Sequence, residues 1–295
     1  MDGIFTIIAG SEVCNARCPF CISKMTQPLG VPLGKPPEVN WRNFHKACHL
    51  AQVNGISTVL ITGKGEPTLF PSQISDFLVA MNRYDFPLIE LQTNGIMMAK
   101  KPKEYSQYLK DWYGCGGMTT IAVSIVHYEP EKNRQIYLPY QKDYIDLKAL
   151  IEFLHGHGLS VRLTCTMLKG FIDSGEEVAN LVSFARENKA EQLTIRPVNA
   201  PKEEASRNEE VGVLVRRDMI LAEDQIVDIK SMIAGRATLI RTLSYGAQIY
   251  DFGGQNLCLS NCLTVEGSSN YVRNFIFFQD GHIRTSWDLP GSIVL

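Results

Sequence analysis

No stretch of this 295-residue chain stays apolar for the roughly 18 residues that a membrane span requires. The opening Met1-Asp2-Gly3-Ile4-Phe5 lacks the basic flank of a secretory signal and reads as the start of a strand. An excess of charge is also missing, since 29 Lys and Arg stand against 31 Asp and Glu. Nucleic-acid binders usually carry a basic surplus, so electrostatics disfavour DNA or RNA as the main partner. Internal repeats and low-complexity tracts are absent as well. With 45% hydrophobic and 20% charged residues, the chain has the make-up of a globular enzyme. It is long enough for one large core, or for one core with a modest appendage.

Cysteine, by contrast, is plentiful. Three of the eight fall within eight residues (Cys14, Cys18 and Cys21), and the others are Cys48, Cys115, Cys165, Cys258 and Cys262. Disulfide frameworks belong mainly to short secreted chains, which this is not by length or by its opening residues. Clustered thiols in a reducing compartment are more often metal ligands or catalytic groups, and a cytoplasmic location is the expectation.

Residues 1–200 alternate strand-like and helix-like patterns. Apolar runs at 4–9, 57–62, 88–92, 119–126, 161–167 and 192–198 read as strands. Stretches at 41–53, 73–83, 103–113, 144–155 and 176–188 carry the three- and four-residue apolar spacing of helices. The expected fold class is α/β, with parallel strands joined by crossover helices into a partial (β/α)6 barrel. The chemistry of such a barrel lies in the loops at the carboxyl ends of its strands. The polar segment 200–217 reads as a linker or flexible loop. Residues 201–295 then read as a small α+β extension packed on the barrel, with a helix at 223–234 and strands at 271–278 and 282–287. Gln279-Asp280-Gly281 is the expected turn between those two strands.

The triplet reads Cys14-Asn15-Ala16-Arg17-Cys18-Pro19-Phe20-Cys21, a C-x3-C-x2-C spacing directly after the first strand. Three thiolates in one loop can hold three corners of a [4Fe–4S] cube and leave one iron open to an outside ligand. Tetrahedral zinc with a distant histidine is the alternative, and it would make the chain a binding or structural protein.

The spacing, with an aromatic residue just before the third cysteine, resembles the signature of the radical SAM superfamily. The resemblance implies a [4Fe–4S] cluster on Cys14, Cys18 and Cys21, with S-adenosylmethionine on the open iron. It also implies a 5′-deoxyadenosyl radical, a reductant such as flavodoxin or ferredoxin, and Phe20 beside the adenine. Gly63-Lys64-Gly65-Glu66-Pro67 is similar to the family's G-G-E-P element, with Lys64 in place of its first glycine. That match implies that Gly63, Gly65, Glu66 and Pro67 grip the cofactor's methionyl amino group. By the same resemblance Asn94, in Gln92-Thr93-Asn94-Gly95, closes the third strand in a form common in the family. Ser124 is expected near the ribose, and Arg196 near a carboxylate of cofactor or substrate. Each has a plainer reading, as turn, strand or ion-pair residue.

Beyond the barrel, Gly253-Gly254 precedes Cys258 and Cys262. Three readings stay open: ligands of an auxiliary cluster completed by a residue such as Cys165, a thiol that returns hydrogen to a substrate radical, or inert core residues. The layout is similar to that of aminoglycoside epimerases. It implies epimerisation of a small polar substrate, an amino sugar, with Cys258 or Cys262 as the donor. Asp251, Glu266, Asp280 and Asp288 are the carboxylates that would meet a cationic sugar, and His127 and Glu129 are expected to face the site. Modification of a peptide or an RNA is the alternative within the same chemistry.

Overall fold

The computed structural model describes residues 3–200, 207–260 and 274–295. The first half runs β1 (Ile4–Ile8), α1 (Ile22–Met25), α2 (Trp41–Val53), β2 (Thr58–Thr62), α3 (Pro71–Met81), β3 (Leu88–Thr93), α4 (Ile96–Lys100), α5 (Pro102–Gly114), β4 (Thr120–Ile125) and α6 (Pro130–Tyr137). It continues with α7 (Leu147–His155), β5 (Ser160–Met167), α8 (Gly175–Glu187), β6 (Gln192–Pro197), α9 (Glu209–Asp218) and α10 (Glu223–Arg236). Five short strands follow: β7 (Thr238–Thr242), β8 (Gln248–Phe252), β9 (Gln255–Leu259), β10 (Asn274–Phe277) and β11 (Ile283–Arg284).

Strands β1 to β6 pair in parallel and in chain order, which is the partial barrel that the sequence pattern implies. The full sheet is open, with order β11-β10-β1-β2-β3-β4-β5-β6-β9-β8-β7. The tail packs its helices on the barrel, α10 against α8 and α9 against α1, and its strands join the sheet itself. It extends both edges of the sheet, with β10 parallel to β1 and β9 parallel to β6. Two edge strands of the core are thereby covered, and the two flanks of the tail are brought to opposite sides of one opening.

The helices form where the sequence gives a capped apolar stripe. In α2 the Asn40 side chain accepts from Asn43 N, and Phe44, Ala47, Cys48 and Ala51 face the core. In α7 Asp146 caps Ala149 N, and Leu147, Leu150, Ile151 and Leu154 are buried. One expectation is corrected here: part of segment 200–217, read as a loop, is helix α9. Asn208 caps it through Val211 N, acidic residues open it and Arg216 and Arg217 close it. Only Gly212 and Val215 of that helix are buried, so its apolar period is too faint to read. The hairpin β8–β9 was also not anticipated. Gly253 and Gly254 adopt φ of 58° and 88° and make its two-residue turn, a conformation that side chains with a Cβ resist.

The strands show why one face of the sheet is polar. In β2, Val59 and Ile61 are fully buried toward the helices, while Thr58, Leu60 and Thr62 are only partly covered on the other face. In β5, Val161, Leu163 and Cys165 are core residues, whereas Arg162, Thr164 and Thr166 line an interior cavity. Period-two alternation in a parallel strand thus separates a helix-packed face from a hollow one.

Candidate active site

The hollow face encloses a cavity of about 380 Å3 at the carboxyl ends of the barrel strands. Cys14, Cys18 and Cys21 line it from the loop between β1 and α1, together with Phe20. Gly63, Gly65, Glu66 and Pro67 line it from the loop after β2, and Asn94 from the end of β3. Ser124 of β4, Arg196 of β6 and Cys258 of β9 complete the group. A separate cavity of about 480 Å3 between α4 and α7 holds none of these residues.

Close backbone approach fixes the cysteine loop. Glu66 N donates to Val13 O at 2.9 Å, which pins the loop after β2 under the loop that carries Cys14. A Cβ on Gly65 would stand 2.1 Å from Val13 O and 2.6 Å from Ser11 O, so only glycine permits the contact. Asn94 Nδ2 donates to Asn15 Oδ1 at 2.7 Å, and Arg17 N donates to Tyr137 O at 2.9 Å. The loop is thereby held at three points, by the segments that follow β2 and β3 and by the end of helix α6.

Glu66 is the hub of this arrangement and only 4% exposed. Its Oε1 accepts from Thr68 N, Thr68 Oγ1 and Thr93 Oγ1 at 3.0, 2.6 and 2.6 Å. Its Oε2 accepts from Asn94 N at 2.9 Å. Burial pushes the carboxyl pKa up, and these four donors pull against that. Much of its role is to join the ends of β2 and β3, while Oε2 keeps a lone pair for a further donor.

Lys64, a departure from the family pattern in sequence, is a structural tie in the fold. It is 2% exposed, and its Nζ donates to Gln27 O at 2.9 Å, Thr26 Oγ1 at 3.1 Å and Trp287 O at 3.3 Å. The ammonium also lies 4.6 Å from the centre of the Trp287 ring. Burial lowers its pKa to about 8, against the pull of Asp288 and Glu12. The barrel, α1 and the C-terminal hairpin meet at this one side chain.

The thiols have the chemistry of a cluster site. Burial first, and Glu66 second, push the Cys14 pKa up to about 12; burial, Cys21 and Cys14 raise Cys18 further. Neighbouring thiols that resist ionisation alone are stabilised as thiolates by metal, with release of protons. Among the described residues no three His, Cys, Asp or Glu side chains gather to hold a single ion. One tetrahedral zinc would need its sulfurs about 3.8 Å apart, from Zn–S bonds of about 2.3 Å. Three thiols that line one cavity and act electrostatically on one another suit a cube bound at three corners, with space beside it for a cofactor.

The tail residues divide sharply. Cys258 is half-buried on the cavity wall, whereas Cys262 and Glu266 lie outside the described residues. Cys165 sits on the helix-packed face of β5, turned away from the cavity and from Cys258, so it cannot complete a cluster there. Asp251 caps Gly254 N, Asp280 pairs with Arg284, and Asp288 accepts from Ser286 Oγ. None of these three carboxylates lines the cavity. His127 and Glu129 also miss it: His127 Nδ1 accepts from Glu129 N, and its Nε2 faces Glu177. Sequence reasoning missed Arg162, Thr164, Thr194 and Trp287, all of which line the cavity. For the first three the alternation along β5 and β6 was the available signal.

Comparison with known proteins identifies the frame. Residues 8–185, more than half of the chain, match the model of the Radical SAM superfamily. No curated protein matches the chain. SuiB of Streptococcus suis bound to S-adenosylmethionine has a similar fold, with TM-score 0.61 and 15% identity over 97% of this chain and 60% of that one. SuiB bound to its precursor peptide SuiA gives 0.59 and 17%, over 96% and 59%. A radical SAM methyltransferase from Sphaerobacter thermophilus gives 0.55 and 12%, over 87% and 66%. The chain thus spans about 60% of the length of SuiB, and at these identities the likeness is one of fold.

Proposed function

The chain belongs to the radical SAM superfamily, and from that premise we propose that it abstracts hydrogen from a small polar substrate and returns hydrogen from Cys258, epimerising a carbon of a sugar. It is an enzyme whose cofactors are a [4Fe–4S] cluster and S-adenosylmethionine. Bound together, these groups supply reductive cleavage of a sulfonium bond and a radical strong enough to take hydrogen from C–H. Among the described residues no helix is long and apolar enough to cross a membrane.

The observation that carries the reading is the meeting of the Cys14 loop, the Glu66 loop and Cys258 on one cavity. In the proposal, Cys14, Cys18 and Cys21 each bind one iron, and Phe20 packs beside the adenine. Gly63, Gly65, Pro67 and Oε2 of Glu66 receive the methionyl end, with Asn94 holding the turn. Ser124 meets the ribose, and Arg196 meets a carboxylate. Residues 1–200 form the core barrel, and residues 201–295 form the extension that supplies the substrate side. Cys258, on β9, is separated from Ser124 by β5 and β6. A substrate lying between them would lose hydrogen on one side and gain it on the other. In that return step the S–H bond of Cys258 breaks evenly, hydrogen goes to carbon, and sulfur keeps the odd electron. One electron from a flavodoxin- or ferredoxin-type reductant and one proton from solvent then restore the thiol.

Peptide modification is the second reading, because SuiB shares the fold and binds a precursor peptide. The carboxylates named for a cationic amino sugar lie off the cavity or outside the described residues, so the proposal is for a neutral sugar rather than an amine.

The test is anaerobic reconstitution with iron and sulfide, EPR of the reduced protein with and without S-adenosylmethionine, and quantitation of 5′-deoxyadenosine. Wild type should show one signal that shifts with S-adenosylmethionine, and Cys14→Ala should lose both signal and cleavage. Cys258→Ala should keep cleavage and lose deuterium incorporation from D2O into a turned-over sugar. Cleavage that survives Cys14→Ala, or unchanged deuterium incorporation by Cys258→Ala, would refute the corresponding assignment.

A further inference from the structure

The strand register puts four cavity-lining side chains in one row across the sheet. Ser124 of β4 is level with Thr164 of β5, Thr164 with Thr194 of β6, and Thr194 with Cys258 of β9. All four line the cavity. Neighbouring strands lie about 4.8 Å apart, so the row spans about 14 Å from the serine to the thiol. Its middle is a pair of threonine hydroxyls.

Thr164 stands out in this row. It is 3% exposed, and its Oγ1 has no hydrogen-bond partner. Two residues back on the same face, Arg162 ion-pairs with Glu90, and its buried Nε also has no partner. Buried polar atoms of this kind are nearly always satisfied, by protein, by water or by a ligand. The Arg162–Glu90 pair cancels its own charge, and Arg196, level with Thr166 rather than Thr164, is taken by the carboxylate assigned to it above, so what is left at Thr164 is hydrogen bonds without a net charge. An N–H donor beside a hydroxyl suits an oxygen that can both accept and donate, which is an alcohol. A carboxylate or phosphate would meet Glu90 behind the arginine, and an ammonium would meet the Nε–H.

We propose that Thr164 and Arg162 Nε form a subsite for a hydroxyl of an uncharged polyhydroxylated substrate, a sugar or cyclitol, and so set which substrate carbon lies between Ser124 and Cys258. This inference rests on the radical reading above and narrows its substrate class. Thr164 is a specificity residue in this scheme, since it touches substrate away from the reacting carbon.

The test uses holoenzyme loaded with S-adenosylmethionine and saturation-transfer NMR with methyl α-D-glucopyranoside and myo-inositol, with gluconate and glucosamine as the charged comparators. Wild type and Thr164→Ser should bind a neutral probe, and Thr164→Val should bind it about tenfold more weakly, the loss of one hydrogen bond. Thr164→Val replaces a hydroxyl that has no protein partner by a methyl group of like size. Its melting temperature should therefore equal or exceed that of wild type, which separates lost recognition from lost folding. Failure of wild type to bind either neutral probe overturns the proposal. So does equal binding by Thr164→Val, or preference for gluconate or glucosamine. The EPR response to S-adenosylmethionine is read on the same samples: its absence in wild type strikes the radical reading, whereas the probe titration alone decides the subsite.

Discussion

Gly65→Ala is the sharpest test of how the cysteine loop is held. The added Cβ would lie 2.1 Å from Val13 O, 2.6 Å from Ser11 O and 2.7 Å from the Glu12 carbonyl carbon. All three are backbone atoms, so no side chain can swing aside. Ordinary contact begins near 3.4 Å, so the loop must retreat by about 1.3 Å or the bond from Glu66 N to Val13 O must break. Cys14 follows Val13 directly and moves with it. Overpacking of this kind costs about 1–3 kcal/mol, and a displacement near 1 Å at a reacting group costs about 100-fold in rate. The variant should fold with a lowered melting temperature, take up iron and sulfide poorly, and form 5′-deoxyadenosine about 100-fold more slowly. Gly235→Ala, in helix α10 with no atom within 4 Å of its added Cβ, should be neutral or slightly stabilising. Iron content by ferrozine and 5′-deoxyadenosine by liquid chromatography give the readout. Full cluster content and full cleavage rate in Gly65→Ala would show that the loop contact does not position Cys14.

Two further outcomes follow from the buried charges. Lys64 has its pKa lowered from 10.5 to about 8, so the folded protein sheds that proton before the unfolded chain does. Stability should then rise with pH between about 8 and 10.5, by up to about 3 kcal/mol, and the full cost is present below pH 8. Urea unfolding of iron-free wild type and Lys64→Met across that range isolates the effect, because all other titrations are common to both; a flat difference refutes it. Glu66→Gln should lower the urea midpoint by the equivalent of about 1–3 kcal/mol. The Glu66 oxygens each accept a backbone N–H, from Thr68 and from Asn94, so either orientation of the new amide sets donor against donor. An unchanged midpoint would mean that the hub contributes nothing to holding β2 and β3 together.

Much of this site was legible because its chemistry sits in short, contiguous runs. Cys14, Cys18 and Cys21 share one loop, and Gly63 to Pro67 share another, so local spacing carried the assignment. The core strands were legible for a related reason, since their Val, Ile and Leu runs alternate with capped helical stripes. What the sequence concealed depends on pairings between distant segments. Lys64 reads as a mismatch until Trp287 and Gln27 fold over it. Helix α9 buries too little to show a period, and Cys165 reads as available until the parity of β5 turns it away from the cavity.

The same parity carries the more general point. A parallel strand covered on both faces should be apolar throughout, yet β5 and β6 place Arg162, Thr164, Thr166, Thr194 and Arg196 at every second position. In β5 the positions between them are Leu163 and Cys165, both fully buried, so the polar residues do not mark an exposed edge. Internal hydrogen bonding does not account for all of them, because Thr164 Oγ1 and Arg162 Nε are left without partners. A packed barrel interior would select against such residues, since each buried unsatisfied group costs about 1–3 kcal/mol. Their presence opposite the cysteine loop indicates that this face of the sheet is built to hold a polar ligand.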